Sequence, residues 1–175
     1  TADSVALAIK SGTGTSGAAL TCTANTVATL GTGDATFAAC NIDKAGDNYK
    51  LRATISGGTA ADSAEIDVTV GVQVKLGFVA QPATGVPNSS FSTQPVVAVQ
   101  DAGGNTVTSF ATTVTLSKSG PAGTFSCSGS ESKATTNGVA TFSGCKISVV
   151  GLGFTLTADE VGALTTATTP AFDIV

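Results

Sequence analysis

Short stretches of alternating apolar and polar residues run along the whole chain, and Gly, Asn, Asp or Pro residues separate them. Alternation with period two places side chains on opposite faces of an extended strand, so the pattern is typical of half-buried β-strands joined by tight turns. Residues 5–9, 114–116 and 153–158 are clear examples. Helix formers in amphipathic order are absent. The pattern therefore predicts an all-β protein.

The alternating segments recur as a second copy later in the chain. Cys22 and Cys40 stand 18 positions apart, as do Cys127 and Cys145, and the second pair follows the first after 105 positions. Apolar and glycine positions match at the same offset: Phe37 with Phe142, Ile42 with Ile147, Gly46 with Gly151, Tyr49 with Phe154, Leu51 with Leu156 and Ala53 with Ala158. Self-similarity at a fixed period indicates tandem units of one fold.

The repeat predicts two domains, residues 1–71 and residues 72–175. Residues 72–82 (VQVKLGFVAQP) and 95–107 (PVVAVQDAGGNTV) open the second domain and have no counterpart in the first. We therefore predict that domain 72–175 is complete and that domain 1–71 lacks its opening strands. A sandwich without those strands exposes unpaired edges and part of its apolar interior.

We expect another chain to cover the open part of domain 1–71, by strand addition or by packing of a neighbouring subunit. Head-to-tail contacts of this kind generate a filament unless the rotation closes a ring. The expected partner is thus a second copy of the chain, in a homopolymer. The alternative is that the sequence is a piece of a longer array whose preceding residues supply the missing strands.

Four cysteines allow three pairings, and the repeat selects one of them. Equivalent cysteines in two copies of one fold should do equivalent things, which pairs Cys22 with Cys40 and Cys127 with Cys145. A zinc site is the rival interpretation, but paired C-x2-C knuckles are missing and the chain has no His. Disulfides persist in oxidising compartments, so we predict a secreted, extracellular or cell-surface protein.

Charge narrows the classes of partner. Charged residues make up 11% of the chain, against roughly 25% in an average soluble protein. The net charge is −4 and no basic cluster is present to neutralise phosphates, so nucleic acid is not an expected partner. Uninterrupted apolar runs fall well short of the roughly 20 residues that cross a bilayer, and we expect no membrane insertion.

The order of segments resembles the bacterial Ig-like repeats of invasin-type adhesins and other long cell-surface proteins. The most specific element is V-x-D-x-x-G-N-x-V, matched by Val99, Asp101, Gly104, Asn105 and Val107. The resemblance covers essentially all of residues 72–175, and the first domain from its third strand onward. It implies tandem antiparallel β-sandwiches of about seven strands, secreted and strung together as a stalk or adhesive rod. It does not imply catalysis.

The cysteines depart from the commoner cysteine-free pattern of that family. Their short span suggests a link between neighbouring strands and not the central inter-sheet bond of antibody domains. Tyr49 is similar to the tyrosine corner of Ig-like sandwiches, in which the hydroxyl bonds to nearby backbone. Phe154 takes its place in the second copy, so we favour ring packing over ligand stacking at this position.

The sequence predicts no catalytic residues and no cofactor. A general base near neutral pH is usually His, which is absent, and no GxSxG elbow or phosphate-binding loop is present. Lys10-Ser11 and Lys118-Ser119 invite a Ser-Lys interpretation. Neighbouring strand residues face opposite ways, however, so the two side chains of each pair should diverge.

Three polar positions are candidate sites for ions or sugar. Asp101 and Asn105 offer oxygen ligands that suit calcium, but they match no calcium-loop pattern and Asp and Asn also build turns, so we predict no required metal. Asn88 begins the only N-glycosylation sequon of the chain.

Two classes of function are consistent with these observations. The first is a structural, non-catalytic Ig-like module of a surface filament or adhesin rod. The alternative is an adhesive module whose end loops bind glycan or protein on a host or cell surface. Carbohydrate sites generally present exposed aromatic platforms, and only 5% of the residues here are aromatic. We therefore favour the structural class.

Overall fold

The structure is a computed structural model that describes residues 3–175. Its regular elements are all β-strands, and no helix occurs within that range. The all-β prediction is confirmed. The chain forms two compact units that divide between Val70 and Gly71, one residue from the predicted boundary. We call them unit 1 and unit 2.

Unit 1 has one four-stranded antiparallel sheet and two short ladders. Its strands are β1 (Ser4–Ile9), β2 (Leu20–Thr21), β3 (Thr26–Ala28), β4 (Asn41–Ile42), β5 (Gly46–Tyr49), β6 (Leu51–Ile55), β7 (Ala61–Asp62) and β8 (Ile66–Val68). The sheet has the order β3-β1-β6-β7, and the ladders are β2-β4 and β5-β8.

Unit 2 repeats this framework and adds a three-stranded sheet. Its strands are β9 (Lys75–Ala80), β10 (Thr84–Gly85), β11 (Val96–Gln100), β12 (Thr113–Ser119), β13 (Phe125–Ser126), β14 (Ser132–Ala134), β15 (Val139–Thr141), β16 (Lys146–Ile147), β17 (Gly151–Glu160), β18 (Ala167–Thr168) and β19 (Phe172–Ile174). The larger sheet runs β10-β19-β17-β12-β14, with β18 also on β17. The added sheet is β15-β11-β9, and β13-β16 is a separate ladder.

The core of unit 2 lies between its two sheets. Val97 and Val99 of β11 and Ala140 of β15 belong to the same buried cluster as Leu116 of β12 and Leu156 of β17. All five are at most 3% exposed. Inner faces that share one cluster make a β-sandwich, because each sheet buries the face that the other covers.

One ladder of unit 2 corrects the prediction of wholly antiparallel sandwiches. β9 pairs antiparallel with β11, whereas β10 pairs parallel with β19, through Thr84 opposite Asp173 and Gly85 opposite Ile174. Pro82 separates β9 from β10 and has no N–H to donate to a ladder. The chain thus leaves one sheet and joins the other through a short connection, without a hairpin between the two strands.

The turn at residues 135–138 closes as a two-residue hairpin turn, because Thr136 and Val139 exchange backbone hydrogen bonds at 2.8 Å and 3.0 Å, but its flanking strands then separate. Asn137 and Gly138 have φ of 49° and 73°, as the first-choice turn of a hairpin requires. The flanking strands nevertheless pair with different sheets, β14 with β12 and β15 with β11. In unit 1 residues 34–36, which correspond to β15 at the 105-residue offset, form no strand. The counterpart of β15 has nothing to pair with there, because residues 3–70 contain no counterpart of β11.

Equivalent leucines in the two units should differ in their effect on stability. Leu156 is fully buried and its counterpart Leu51 is only partly buried. We expect Leu156→Ala to lower the free energy of unfolding of unit 2 by about 2–5 kcal/mol. Leu51→Ala should lower that of unit 1 by ~1 kcal/mol, since less apolar surface returns to water. Urea unfolding followed by residue-resolved amide exchange measures both, and equal losses would contradict the assignment of unequal burial.

Candidate functional site

The short ladder of unit 1 ends in its disulfide. Leu20 lies opposite Ile42 and Thr21 opposite Asn41, so the next rung places Cys22 opposite Cys40. These two cysteines are bonded. The bond therefore ties neighbouring strands together at the point where their regular pairing stops.

Unit 2 has the same arrangement, with Phe125 opposite Ile147 and Cys127 bonded to Cys145. The structure thus forms both disulfides with the pairing that the repeat predicts, and no cysteine is left free. Neither bond runs between the centres of the two sheets. Each bond closes a local loop. In unit 2 this loop passes from one sheet to the other, because it contains both β14 and β15.

A covering segment hydrogen-bonds to this ladder in unit 2. It is the connection from β10 to β11, which we call the cover segment (residues 86–95). Phe91 N donates to the carbonyl oxygen of Cys145 at 2.9 Å, and Asn88 N donates to that of Ile147 at 2.9 Å. Cys145 N in turn donates to Gln94 Oε1 at 2.7 Å. The outer edge of β16 is therefore paired.

Phe91 is the apolar anchor of the cover segment. Its side chain is 3% exposed and meets Phe172 edge to face, with 5.7 Å between ring centroids. Edge-to-face contact is a favourable arrangement of two aromatic rings. The sequence carries a modest signal for this role, because Phe91 is the lone aromatic residue in a run of serines, threonine and proline. The recognisable motif in that run is the glycosylation sequon at Asn88, which says nothing about the role of Phe91.

Residues 3–70 contain no equivalent of the cover segment, and the corresponding surface of unit 1 is open. A shallow pocket of ≈ 230 Å³ lies there. We call it the open pocket, and its lining is Leu20, Cys40, Asn41, Ile42, Leu51, Ile66 and Val68. No charged side chain belongs to this lining.

Matched positions in the two units differ in burial and not in chemical type. Ile66 is 37% exposed and its counterpart Phe172 is 3% exposed. Cys40 is exposed, whereas Cys145 is fully buried. Unit 1 therefore keeps apolar residues at positions that its own described residues leave uncovered.

The open pocket also has a polar edge. Asp43 N donates to Ala19 O at 3.2 Å, which identifies the hydrogen-bonded rung of the ladder. Rungs alternate in an antiparallel pair, so the N–H and C=O groups of Cys40 and Ile42 turn away from β2. These groups correspond to those of Cys145 and Ile147 that the cover segment bonds. Nothing in residues 3–70 replaces those bonds, and an unpaired strand edge of this kind is a template for strand addition.

The predicted calcium candidates form a turn. Asp101 is buried, and its carboxylate accepts hydrogen bonds from Gly71 N at 2.8 Å and from Asn105 N at 2.9 Å. Asn105 Nδ2 donates to the same carboxylate at 2.9 Å and 3.0 Å. Burial by itself would raise the pKa of Asp101, but the hydrogen bonds from Asn105, Gly71 and Gly103 outweigh it and hold the pKa below its usual range. Donors surround the oxygens that a cation would need.

Within residues 3–175, no group of three or more His, Cys, Asp or Glu side chains is arranged to hold a metal ion. Asn88, the candidate for glycosylation, is exposed and has a positive φ of 59°. Its Nδ2 donates to Ser148 O at 3.2 Å, so the side chain helps to fix the cover segment.

Both candidate lysines bond groups other than the neighbouring serine. Lys10 Nζ lies 2.7 Å from Asp62 Oδ2, and Arg52 contacts the same carboxylate. Hydrogen bonds from Arg52 and Lys10 hold the pKa of Asp62 well below its usual range. Lys118 Nζ donates to Pro121 O at 2.7 Å and lies 5.6 Å from the centre of the Phe154 ring.

Tyr49 is fully buried, and its hydroxyl donates to Lys44 O at 2.8 Å, five residues back along the chain. The ring packs on Gly14, where an added Cβ would overlap it. Tyr49 thus closes a local corner of unit 1, and its ring is not accessible to a ligand.

The comparisons with known proteins concern the fold. No protein-family model matches the chain, and no curated protein matches it. A crystal structure of a glycosyl hydrolase family 2 member from Bacteroides cellulosilyticus is similar over 74% of this chain and 17% of that one, with 16% identity and a TM-score of 0.51. A second family 2 structure, from Bacteroides cellulosilyticus DSM 14838, matches 97% of this chain and 23% of that one at 14% identity and a TM-score of 0.49.

The chain therefore spans less than a quarter of the length of either of these proteins. At 16% identity the first likeness supports an all-β, sandwich-type fold and nothing about activity. No helix within residues 3–175 is long and apolar enough to cross a membrane.

The two disulfides should differ in their resistance to reduction. Cys40 is exposed and its partner Cys22 is 9% exposed, whereas Cys127 is half-buried and Cys145 is fully buried beneath the cover segment. The more accessible cysteine of unit 1 is therefore more exposed than that of unit 2. Thiol–disulfide exchange requires access of the attacking thiolate to sulfur. We expect dithiothreitol, without denaturant, to reduce Cys22–Cys40 well before Cys127–Cys145. Timed alkylation and mass spectrometry give both rates, and faster reduction of Cys127–Cys145 would contradict this account.

The free energy of unfolding should fall in acid as the carboxylate of Asp101 becomes protonated. A carboxyl whose pKa is lower in the folded state stabilises the fold above its unfolded pKa of about 3.9, and that stabilisation is lost as pH falls through the folded value. Asp101→Asn should lower the free energy of unfolding at pH 7 by about 1–3 kcal/mol and flatten its dependence on pH below 4. Asp159→Asn, on the exposed surface, is the control. A pH profile of Asp101→Asn that matches the wild type would show that the hydrogen bonds to the Asp101 carboxylate do not stabilise the fold.

Proposed function

We propose that the chain is a non-catalytic, extracellular structural module built of tandem Ig-like units, and that it joins a surface filament or adhesin rod through unit 1. The observation that carries this proposal is the open pocket beside the unpaired edge of β4. Unit 2 buries the same positions beneath added strands, and unit 1 presents them to solvent. A surface that is apolar and hydrogen-bonding at once suits an incoming extended segment.

Two further observations support an extracellular structural role. Two disulfides are consistent with an oxidising compartment. The polar residues that first suggested chemistry are engaged in holding the fold: Asp101 bonds the entry of unit 2, and Tyr49 closes a corner of unit 1. These contacts make each unit more rigid, as a structural module requires.

The alternative proposal is an adhesive module that binds glycan or protein through its end loops. Five of the nine aromatic side chains are buried and the other four are half-buried, so none stands out from the surface as a stacking platform for sugar. This observation favours the structural role. Assembly through unit 1 is head to tail, because a pocket on one subunit meets a different surface of the next, and such contacts extend into a filament unless they close.

Light scattering at increasing concentration tests the proposed assembly. We expect the 175-residue chain to self-associate and Ile66→Asp to remain monomeric, because a charge in the open pocket opposes burial. Val161→Asp, at a fully exposed position of unit 2, should associate as the wild type does. Circular dichroism establishes that each variant is folded. A stable, protease-resistant wild-type monomer at every concentration would exclude the need for a partner.

A further inference from the structure

Unit 2 provides a template for the occupant of the open pocket. The two disulfide-linked ladders share one register, so Cys40 corresponds to Cys145 and Ile42 to Ile147. In unit 2 the carbonyl oxygens at these positions accept N–H groups from Phe91 and Asn88. The cover segment runs antiparallel to β16. A segment that runs antiparallel to β4 in the same way satisfies the same groups in unit 1.

The lining of the open pocket indicates the size of the anchor. Leu20 replaces Phe125, and Ile66 replaces Phe172. Phe172 is the ring that Phe91 contacts in unit 2, and the smaller Ile66 leaves at least as much room on that side of the pocket in unit 1. The lining carries no charge, and an apolar aromatic side chain therefore fits it best.

The segment after the pocket indicates that the occupant continues as a strand. In unit 2 Val96, Val97 and Ala98 of β11 pair with Thr141, Ala140 and Val139 of β15. The counterpart of β15 in unit 1 is residues 34–36, which form no strand. An incoming strand of the β11 type would give this segment its missing partner.

We infer that the open pocket binds an extended segment built like residues 82–100 and supplied from outside residues 3–70. This segment places an aromatic anchor, Phe or larger, against Ile66, as Phe91 lies against Phe172 in unit 2. It donates backbone N–H groups to the carbonyls of Cys40 and Ile42, and its following strand pairs with residues 34–36. The inference rests on the proposed function, and it specifies the partner of the same surface.

A synthetic peptide with the sequence of residues 82–100 tests this inference on the full chain. The first readout is the reduction rate of Cys22–Cys40, because a bound cover buries Cys40, the exposed end of this disulfide, as the cover segment buries Cys145 in unit 2. If reduction proceeds only from the free form, the rate falls about tenfold when the peptide is present at roughly ten times its Kd. The rate at Cys127–Cys145 should stay the same. The second readout is amide exchange, with slowing expected at residues 34–42.

Three controls keep the outcome specific. The peptide carrying Phe91→Asp should protect neither site, because it places a charge where the anchor belongs. The Ile66→Asp chain should lose protection by the wild-type peptide, and the Val161→Asp chain should retain it. The peptide is used at concentrations at which it scatters no light alone, so that its aggregation does not imitate binding.

Protection of Cys22–Cys40 by the wild-type peptide and not by the Phe91→Asp peptide supports the inference. Equal effects of the two peptides, or no effect of either, overturn it.

This experiment separates the inference from the proposed function. A chain that self-associates but ignores the peptide retains the structural role and loses this partner. A chain that stays monomeric but binds the peptide retains the partner and loses the self-assembly.

Discussion

The cover over the disulfide-linked ladder is the contact on which the rest of unit 2 depends. Phe91, Asn88 and Gln94 pair the outer edge of β16, and the Phe91 ring lies against Phe172 at the rim of the core. An apolar face contributes stability only when another layer removes it from water. The described residues of unit 1 form the same framework without a cover segment, and its inner face is therefore partly exposed to solvent.

The disulfides have different consequences in the two units for this reason. In unit 2 Cys145 belongs to the buried core, so the bond reinforces packing that already exists. In unit 1 the bond between Cys22 and Cys40 joins two strands of two residues each, which have little packing of their own. Closing a loop of this length removes unfolded-state entropy worth roughly 3 kcal/mol in the chain-entropy account. The cross-link thus fixes the register of the two strands at the edge of the open pocket.

Unit 2 is also fixed at the point where the chain enters it. The carboxylate of Asp101 gathers the N–H groups of its own turn and that of Gly71, which lies 30 positions earlier in the chain. A charged acceptor makes such bonds stronger than neutral ones, and burial increases the cost of losing them. A residue pattern that suggests a cation site from sequence holds the backbone together here, because N–H groups donate to both oxygens of the Asp101 carboxylate.

The sequence by itself determined the strands, the repeat and the disulfides. Alternation at positions such as 153–158 specifies strands locally, and the equal spacing of Cys22–Cys40 and Cys127–Cys145 restricts the pairing, so neither required knowledge of distant contacts. It also indicated that the opening segments of unit 2 have no counterpart within residues 3–70. It did not identify Phe91 or Gln94, because their role depends on an edge more than 50 positions further along the chain. The parallel pairing of β10, the division of β14 and β15 between sheets, and the absence of a strand at residues 34–36 were decided only by tertiary structure. A strand exists where a partner satisfies its backbone groups, and local sequence does not specify that partner.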